Sequence, residues 1–389
     1  MSKRVKWYWI LGMLFLFPFR EILAQNCTAG QIYTEETYLY GRFEVRMQSA
    51  AGAGIISSFF LYNLDVACNW PVEVNELDLE MTGNSTNLWF TTHYPFLTNI
   101  TDIYDPGFNP HDGLQDYAFE WEPGIVRWFV NGQLVNIQDE AMVADLNFPM
   151  NIMMNTWAVD NSAWAGGFDP SILPVFSTYD YVKYYRYTPG SGTTGTNNNF
   201  TPEWEDDFNA LDEDRWIISK DDGFGGNFCR FKEAATEFTN GTLLLKVQDP
   251  DPNPPVIPVT FSVNTSSLNL LPTDQIYLNG TFNSWCGTCE PMIKIGDTWW
   301  ATVALEPGSY EYLFTKNLWE ENGGAPLGSD CDYAPCDEYA NYGVDVLIND
   351  QPITLETPCW ASCDICQVTN IETPISDREK VWLKITDLL

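Results

Sequence analysis

Histidine and basic residues are both scarce in this chain. Only His93 and His111 are histidines among 389 residues, so a multi-histidine zinc site or a Ser-His-Asp triad has few candidates. The 19 Lys and Arg residues stand against 53 Asp and Glu, which gives a net charge of −34. A polyanion of this size is repelled by nucleic acid and by anionic membranes, whereas an uncharged polysaccharide is not. We therefore expect no nucleic-acid partner.

Apolar runs long enough to cross a membrane are also missing. The one apolar run, Trp7 to Phe19, follows the basic residues Lys3, Arg4 and Lys6 and precedes a plausible cleavage site at Ile22 to Ala24. This pattern predicts a secretory signal peptide over residues 1–24, too short for a comfortable membrane span. We therefore expect a secreted protein, extracellular or at the cell surface, in which disulfides are admissible for the ten cysteines.

Helical periodicity is almost absent, and short alternating segments bounded by turn residues take its place. We expect strands at Tyr38–Met47, Ile55–Tyr62, Glu76–Glu80, Tyr117–Trp121, Ile125–Val130, Gln133–Val135, Ile152–Trp157 and Tyr179–Tyr187. Asn131-Gly132 predicts a tight hairpin between two of them. Strands at this spacing favour an all-β chain with an antiparallel β-sandwich.

The rest of the chain divides by composition. Residues 190–199 are rich in Gly, Thr and Asn and predict a flexible linker. Strand-like segments follow at Phe208–Trp216 and Thr242–Val247, and a stretch with five prolines, residues 249–258, marks the next boundary. From Thr260 to about Cys366 the sequence predicts a second, smaller β-sandwich module.

The stretch Glu76-Leu77-Asp78-Leu79-Glu80 is the strongest candidate for chemistry. Alternation along a strand puts the three acids on one face and the two leucines on the other. Crowded carboxylates repel one another, and their pKa values are pushed apart. Cleavage of a glycoside with retention needs such a pair, one carboxylate as nucleophile and one carboxyl group as acid. A solvated strand face or a Ca²⁺ site is the alternative from spacing alone.

Several motifs in fixed order resemble glycoside hydrolase family 16. They are Tyr40–Met47, Glu76–Glu80, Tyr117–Trp121, Arg127–Gly132 and Met153–Trp157. The resemblance covers roughly Gly30 to Val247 and implies a β-jelly-roll with a concave glycan cleft. The uninterrupted E-x-D-x-E is similar to the licheninase and xyloglucan-active branch, because the laminarinase branch usually has one extra residue before the last Glu.

The order of the chain departs from most of that family in one respect. The segment resembling Asp206–Leu245 follows the Tyr179–Tyr187 strand here, whereas in most relatives it precedes the Tyr-Gly-Arg-Phe-Glu strand. The chain therefore resembles the circularly permuted licheninases known from Fibrobacter. Residues 25–250 are then one permuted catalytic domain with an internal linker at 189–200. Permutation is tolerated where the original termini lie close together on the surface.

The resemblance also implies roles for single residues. Glu76 matches the nucleophile, Glu80 the general acid/base, and Asp78 the residue that orients the nucleophile and tunes its charge. Positions that line the sugar cleft are matched by Phe60, Tyr62, Trp157 and Trp164. His93 falls on the next cleft strand, where many licheninases have Asn and some laminarinases have His. Asn75 is expected to point away from the acids.

A structural Ca²⁺ and one disulfide are implied in the same way. Asp180 matches a side-chain ligand of the ion, while Asp207 and Gly241 match positions that supply backbone carbonyls, and oxygen-only ligation suits Ca²⁺. Catalysis itself needs no cofactor. Cys27 and Cys229 match the two cysteines of a disulfide found in Bacillus-type licheninases.

The remaining cysteines allow alternatives. Cys286/Cys289 and Cys331/Cys336 are close enough in sequence for short-loop pairing. Cys359, Cys363 and Cys366 leave one over, and Cys68 has no evident partner. A zinc site made from C-x-x-C motifs competes with disulfides, which secretion favours.

Residues 259–367 are similar to starch- or glycogen-binding β-sandwich modules. Trp285 and Trp319 are candidates for stacking on a second glycan, and the alternative is a spacer in which both belong to the core. The tail, residues 368–389, weakly resembles the start of a C-terminal sorting region and looks truncated.

The favoured function is a secreted, monomeric, retaining endo-β-glucanase acting on mixed-linkage β-1,3-1,4-glucan. Its partner is then a β-glucan polysaccharide. An endo-β-1,3-glucanase (laminarinase) is the nearest alternative. A non-catalytic glycan-binding protein is the third, and the intact pair Glu76 and Glu80 disfavours it because binding alone needs no such pair.

Overall fold

A computed structural model describes residues 27–64, 73–159, 161, 163–220, 223–224, 226–348 and 350–366 of the chain. The predicted signal peptide, Cys68 and the tail from 367 onward lie outside the described residues. Within these ranges the chain forms strands and short 3-10 helices, with no α-helix. Consequently the described part contains no helix of the length and apolarity that a membrane span requires.

The chain divides into two compact units. The first unit comprises residues up to Pro255 together with Glu306–Ser309 and Asp345–Ile348, and the second comprises the rest. The strands of the first unit are β1 (Thr28–Tyr38), β2 (Gly41–Gln48), β3 (Ile55–Tyr62), β4 (Glu76–Thr82), β5 (Leu88–Tyr94), β6 (Thr98–Tyr104), β7 (Gln115–Glu122), β8 (Ile125–Val130), β9 (Gln133–Gln138), β10 (Met150–Ala158), β11 (Val175–Tyr187), β12 (Phe200–Asp206), β13 (Trp216–Ile218), β14 (Arg230–Phe231), β15 (Thr236–Thr239) and β16 (Thr242–Gln248). Short 3-10 helices lie at Pro95–Leu97, Ala141–Asp145, Pro170–Ile172, Thr196–Asn198 and Glu233–Ala235.

These strands form one long sheet that folds over on itself. Its order is β6-β5-β4-β3-β10-β1-β16-β11-β2-β7-β8-β9, and β12 to β15 pair with strands of this path. The inward faces of both halves bury a common apolar core, which contains Phe59, Leu77, Leu79, Phe119 and Trp128. The alternation seen in the sequence has this cause, since every second side chain of β2, β4 and β8 points into that core. The prediction of an all-β, antiparallel sandwich is confirmed.

Strand β16 lies in the interior of the sheet, although it comes last in the first unit. It pairs with β1 through Thr28 opposite Gln248 and with β11 through Tyr179 opposite Leu243. The chain beyond the 190–199 segment therefore completes the same sandwich that the earlier strands begin.

Two strand predictions are wrong in part. The segment Tyr38–Met47 is broken because Tyr40 takes a positive φ of 61°, which ends β1 and starts β2 at Gly41. Between Phe208 and Trp216 the chain is a turn-rich loop: Phe208 also has a positive φ, and its N–H donates to Asp206 Oδ1 at 2.9 Å. Local side-chain hydrogen bonds of Asp replace the strand ladder in this loop.

The connection 188–200, predicted to be flexible, is held by hydrogen bonds. Its backbone closes on itself through Thr188 N to Asn199 O at 2.7 Å and Thr193 N to Phe200 O at 2.8 Å. The Thr196 N–H donates to Glu120 Oε1 at 3.0 Å, and Asn199 Nδ2 donates to Glu122 Oε2 at 2.8 Å. Composition suggested a linker here, but carboxylates contributed by β7 bind the loop.

The second unit is a smaller pair of sheets. Its strands are β17 (Ile257–Asn264), β18 (Ile276–Gly280), β19 (Ile293–Ile295), β20 (Thr298–Leu305), β21 (Gly308–Lys316), β22 (Glu321–Gly323), β23 (Tyr342–Val346) and β24 (Ile353–Thr354), with a 3-10 helix at Thr281–Asn283. The first two residues of β21 and the last two of β23 are counted with the first unit. One sheet has the order β19-β20-β17-β24, and the other has β18-β21-β22 with β23 beside β21. Buried aromatic residues such as Phe261 and Phe314 are part of its core.

The disulfides correct one pairing and resolve others. Cys27–Cys229 and Cys286–Cys289 are bonded as expected. Cys331 pairs with Cys363 rather than with Cys336, because the fold brings residues 32 positions apart to a Cα distance of 5.5 Å. Cys359 pairs with Cys366, so both C-x-x-C motifs are occupied by disulfides and the zinc alternative has no free thiols there.

Candidate active site

The three acids of β4 lie on the face of the sheet opposite to the core. Leu77 and Leu79 are buried in the core, as the alternation predicts. On the other face, Glu76 is opposite Tyr62 of β3, Asp78 is opposite Phe60, and Glu80 is opposite Ser58. Two predicted cleft residues, Phe60 and Tyr62, are thus direct neighbours of the acids.

This face is crowded rather than freely solvated. The side chain of Asp78 is 7% exposed and that of Glu76 is 25% exposed. Glu76 and Asp78 lie on the same face of β4, close enough for each carboxyl group to shift the pKa of the other. The alternative of a solvated strand face does not fit this burial.

His93 of β5 is opposite Glu76 and completes the cluster. Its Nε2 lies 3.2 Å from Asp78 Oδ2 and 3.9 Å from Glu76 Oε2. One donor atom from each of the three side chains lies within 4.8 Å of the others, close enough to share a divalent cation. The prediction placed His93 in the cleft, and the structure gives it a contact with the acids themselves.

All three acids hold their protons more tightly than an exposed carboxyl group does. Burial, followed by the charge of Asp78, raises the pKa of Glu76 to about 8. Burial and the charge of Glu76 raise the pKa of Glu80 to about 7, and burial raises the pKa of Asp78 well above its ordinary value. The sequence predicted separated pKa values, whereas burial moves all three upward, so at neutral pH the cluster carries protons.

An aromatic cluster lies at the Glu80 end of the site. Trp89, opposite Glu80 on β5, contacts Trp164 edge-on at 6.2 Å between ring centroids. Trp164 in turn contacts Trp157 at 6.1 Å, and Trp157 contacts Phe224 at 4.8 Å. Aromatic faces of this kind stack on the apolar faces of sugar rings. The structure brings the predicted residues Trp157 and Trp164 together here.

Polar side chains form the floor beside the acids. Asn155 of β10 lies opposite Ser58, and its Nδ2 donates to Gln31 Oε1 at 3.1 Å, while Gln31 Nε2 donates to Ser219 Oγ at 2.8 Å. Several buried polar atoms on this face have no hydrogen-bond partner within the described structure, namely Ser58 Oγ, Trp89 Nε1, Asn151 Oδ1 and Asn155 Oδ1. Unpaired buried groups are costly, and several of them lie together beside the acids.

Sequence reasoning missed Trp89, Asn155 and Phe224. A signal for Trp89 was present, because it alternates with Thr91 and His93 on a strand whose His93 was already assigned to the cleft. Asn155 stands two residues before Trp157 on the same face. Phe224 lies in a loop, and only the tertiary contact with Trp157 reveals it.

Asn75 points away from the acids, as expected, and its side chain holds a neighbouring loop in place by hydrogen bonds. Its Nδ2 donates to Val74 O and to Asp145 O, and its Oδ1 accepts from the N–H groups of Asn147 and Phe148 at 2.9 and 3.0 Å. Asn75 is fully buried. It therefore anchors the loop before β10 to the start of β4.

The suggested Ca²⁺ ligands belong to three segments that meet beside the middle of β11. Asp180 lies in a bulge of β11. On one side of the bulge Tyr179 pairs with Leu243 of β16, and on the other side Val182 pairs with Asp206 of β12. Asp207 follows Asp206 directly and Gly241 stands two residues before Leu243, so oxygen donors can approach from three segments. Asp180 Oδ2, however, lies 3.3 Å from Arg46 Nε. A cation there has to displace the guanidinium group, so the fit is partial.

Comparisons with known proteins agree with the motifs. Residues 19–183 match the model of the family described as glycosyl hydrolases family 16. The resemblance read from the motifs is thereby confirmed for this segment, which contains Glu76, Asp78, Glu80 and His93.

The relatives are β-glucanases. The chain is 33% identical over 204 residues to the β-glucanase of Fibrobacter succinogenes, covering 50% of this chain and 56% of that protein. It is 37% identical over 172 residues to the β-glucanase of Brevibacillus brevis, covering 43% and 62%. A solved β-glucanase of Bacillus licheniformis is 27% identical with a TM-score of 0.36, covering 41% of this chain and 82% of that one. The chain spans about three-fifths of the length of the curated relatives it matches.

Proposed function

We propose that the first unit is a retaining endo-β-glucanase whose reaction is carried out by Glu76 and Glu80. The observation that carries the proposal is the row of three acids on the face of β4 opposite to the core, flanked by aromatic rings and unpaired polar groups. The family match and the β-glucanase relatives support the same reaction class.

In this reaction Glu76 attacks the anomeric carbon while Glu80 protonates the leaving oxygen. Glu80 then takes a proton from water, which hydrolyses the glycosyl-enzyme bond and restores the carboxylate of Glu76. A Glu80 pKa of about 7 suits a group that gives and then takes a proton near neutral pH. The interaction between the two groups raises the pKa of Glu76 and lowers that of Asp78, so Glu76 holds the proton in the free protein and has to lose it before it attacks.

The proposed substrate is mixed-linkage β-1,3-1,4-glucan, in line with the uninterrupted E-x-D-x-E. The description of the relatives as β-glucanases fits a β-glucan without specifying its linkage. β-1,3-Glucan is the second candidate, because a histidine at position 93 contacts the acids where many licheninases are expected to have Asn. Secretion belongs to the same proposal, supported by the N-terminal pattern and by the disulfides. The arrangement of β16 supports, as a further proposal, a circularly permuted sandwich.

The test is release of reducing sugar from barley β-glucan, laminarin, xyloglucan and carboxymethylcellulose. We expect the highest kcat/KM on barley β-glucan and a product whose anomeric configuration is retained in proton NMR. Glu76→Gln and Glu80→Gln should each lower kcat by about 10²-fold or more. The ratio of rates on barley β-glucan and laminarin separates the two substrate candidates.

Glu203→Gln is the control, since Glu203 is a partly exposed member of an ion pair with Arg186 and lies outside the site. Its rate should match the wild type. A Glu76→Gln protein that stays folded and keeps near wild-type activity would refute the assignment of the nucleophile. Binding of glucan without any hydrolysis would support the alternative that the protein is a non-catalytic glycan-binding protein.

A structural Ca²⁺ at Asp180, Asp207 and Gly241 is the remaining proposal. Because Arg46 competes for Asp180, Arg46→Gln should strengthen the binding of Ca²⁺. We expect EDTA to lower the melting temperature of the wild type and Ca²⁺ to restore it, with a larger Ca²⁺ effect in Arg46→Gln. Melting curves that are identical in EDTA and in Ca²⁺ for both proteins would exclude the site.

A further inference from the structure

The second unit contains a pocket that the proposed reaction does not use. Its volume is about 540 Å³, within the ~300–1,000 Å³ typical of small-ligand sites. Three tyrosines and three acids are among its lining residues, namely Tyr312, Tyr333, Tyr342, Asp330, Asp332 and Glu356. We propose that this pocket binds a neutral sugar unit of a polysaccharide, at a site separate from the cleft of the first unit.

Asp332 gives the pocket an unsatisfied acceptor. The residue is only 5% exposed, and its Oδ2 accepts a hydrogen bond from the Gly328 N–H at 2.7 Å. Its Oδ1 is buried without a partner in the described structure. A buried acceptor that lacks a donor is costly, so a turn of this carboxylate toward a ligand hydroxyl group in the pocket would be favourable.

Tyr333 gives the pocket a fixed aromatic surface. Its side chain is 41% exposed, yet it packs so closely on Gly343 that a Cβ there would lie 1.8 Å from Tyr333 Cδ2. Residue 343 must therefore be glycine for the ring to occupy this position. Beside it, the Tyr342 hydroxyl donates to Ser362 O at 2.9 Å, which fixes a second ring. Tyr342 is almost fully buried, so Tyr333 is the ring on which a ligand can stack. An aromatic ring held in place loses little entropy when a ligand stacks on it.

The charges of the lining disfavour anions and metal ions as ligands of the pocket. The pocket has no Lys, Arg or His among its lining residues, so an anion meets three carboxyl groups without a cation to pair with. In the described ranges, the three carboxylates also do not gather within 4.8 Å of one another as the Glu76 group does. A Ca²⁺ ion needs its oxygen ligands at 2.3–2.6 Å, hence close together. A neutral ligand with many spaced hydroxyl donors fits these acceptors.

This site differs from the tryptophan surface predicted from the sequence. Neither Trp285 nor Trp319 lines the pocket. The role of those two residues stays a prediction, and the pocket can be tested independently of them.

The experiment is native affinity electrophoresis of the full chain in gels that contain barley β-glucan, laminarin or glycogen. We expect at least one of these glucans to retard the wild type. Tyr333→Ala should weaken that binding by about three- to tenfold, the range for one aromatic stacking contact, and Glu356→Gln should weaken it as well. Tyr339→Ala is the matched control, because Tyr339 is an exposed tyrosine of the same unit outside the pocket lining.

Each outcome decides the proposal. Weaker retardation of Tyr333→Ala with an unchanged melting curve supports it, and wild-type retardation of both pocket variants overturns it. Glu356 is exposed, so Glu356→Gln keeps the test valid should Tyr333→Ala unfold. Retardation by chitosan oligomers but by no neutral glucan would also overturn it, since the ligand would then be a cation.

Trp157→Ala separates this site from the cleft. If the retarding glucan binds only in the cleft, Trp157→Ala loses retardation and Tyr333→Ala does not, which overturns the proposal. Reducing-sugar release is measured in parallel and should be unchanged in Tyr333→Ala. A chain without hydrolytic activity would refute the proposed function while leaving the comparison of pocket variants intact.

Discussion

Asp78 lies between two glutamates with its carboxyl group almost fully buried, which makes the cluster unfavourable when fully ionised. The residue has Phe60 and Thr91 as its cross-strand neighbours, and His93 Nε2 lies 3.2 Å from its Oδ2. The fold therefore maintains an arrangement that opposes its own stability. Such a conflict is common where carboxyl groups are arranged for acid–base chemistry.

The first prediction concerns stability against pH. The folded-state pKa values of Glu76 and Glu80, about 8 and about 7, exceed those of unfolded glutamate. Between about pH 4.5 and pH 8 the folded protein thus binds more protons than the unfolded one, so its free energy of unfolding falls as the pH rises. In Glu76→Gln the free energy of unfolding should decrease less over this pH range, by on the order of 2 kcal/mol at pH 8.

Urea unfolding at pH 5, 6, 7 and 8 measures this slope. Glu203→Gln, with its exposed ion pair, should follow the wild type at every pH. Parallel slopes for the wild type and Glu76→Gln would show that burial does not hold a proton on this group.

Single residues of the site differed in how well the sequence predicts them. Alternation alone is enough to place Glu76, Asp78 and Glu80 on one face, because period two is a property of the backbone. The contact of His93 with Asp78 depends on the register between β4 and β5, which no local pattern contains. The ion pair of Asp180 with Arg46 was missed for the same reason.

Among the elements, the loop 188–200 departs most from its composition. Glu120 of β7 is fully buried, and its Oε1 accepts from Arg42 Nη1 at 2.8 Å and from the Thr196 N–H. Gly195, with a φ of +72°, leaves room for this approach, since a Cβ there would lie 2.7 Å from Glu120 Oε1. The loop is part of the sandwich rather than a tether.

The second prediction follows from this contact. Glu120→Ala leaves Arg42 and the Thr196 N–H without the carboxylate and should lower the free energy of unfolding by roughly 2–4 kcal/mol. Hydrogen exchange across residues 188–200 should rise in the same variant. Glu203→Ala removes an exposed ion pair nearby in sequence and should cost less than about 1 kcal/mol. Equal stability of the two variants would mean that Glu120 does not hold the loop.

Strand prediction succeeded where the pattern was local and failed where pairing decided it. Ile125–Val130 was predicted with its observed bounds, because its alternation and the Asn131-Gly132 turn agree. Strand β1 was missed because Thr28–Tyr38 is polar and irregular. Its partners β10 and β16 satisfy its backbone from distant parts of the chain.

At the scale of the molecule, the Cys27–Cys229 disulfide joins residues 202 positions apart. A crosslink that closes so long a loop removes much of the conformational freedom of the unfolded first unit. The resemblance to licheninases implied this bond, whereas the Cys331–Cys363 pair depended on the fold of the second unit and was not foreseen.

The third prediction tests this bond. Replacing both Cys27 and Cys229 by Ser should lower the free energy of unfolding of the first unit by roughly 2–5 kcal/mol. Replacing Cys286 and Cys289, only three positions apart, should cost about 2 kcal/mol or less. Urea unfolding of the full chain, read through the activity of the first unit, measures the former. Unfolding midpoints that agree for the wild type and the Cys27/Cys229 variant would contradict it.

The interior position of β16 has a consequence for how the molecule is made. Until residues 242–248 leave the ribosome, β1 and β11 present backbone edges that have no partner, since β16 lies between them. Exposed edges of this kind invite pairing with other chains. Synthesis that stops near residue 190 therefore yields an aggregation-prone fragment rather than a smaller enzyme, even though Glu76, Asp78 and Glu80 have all been translated by then.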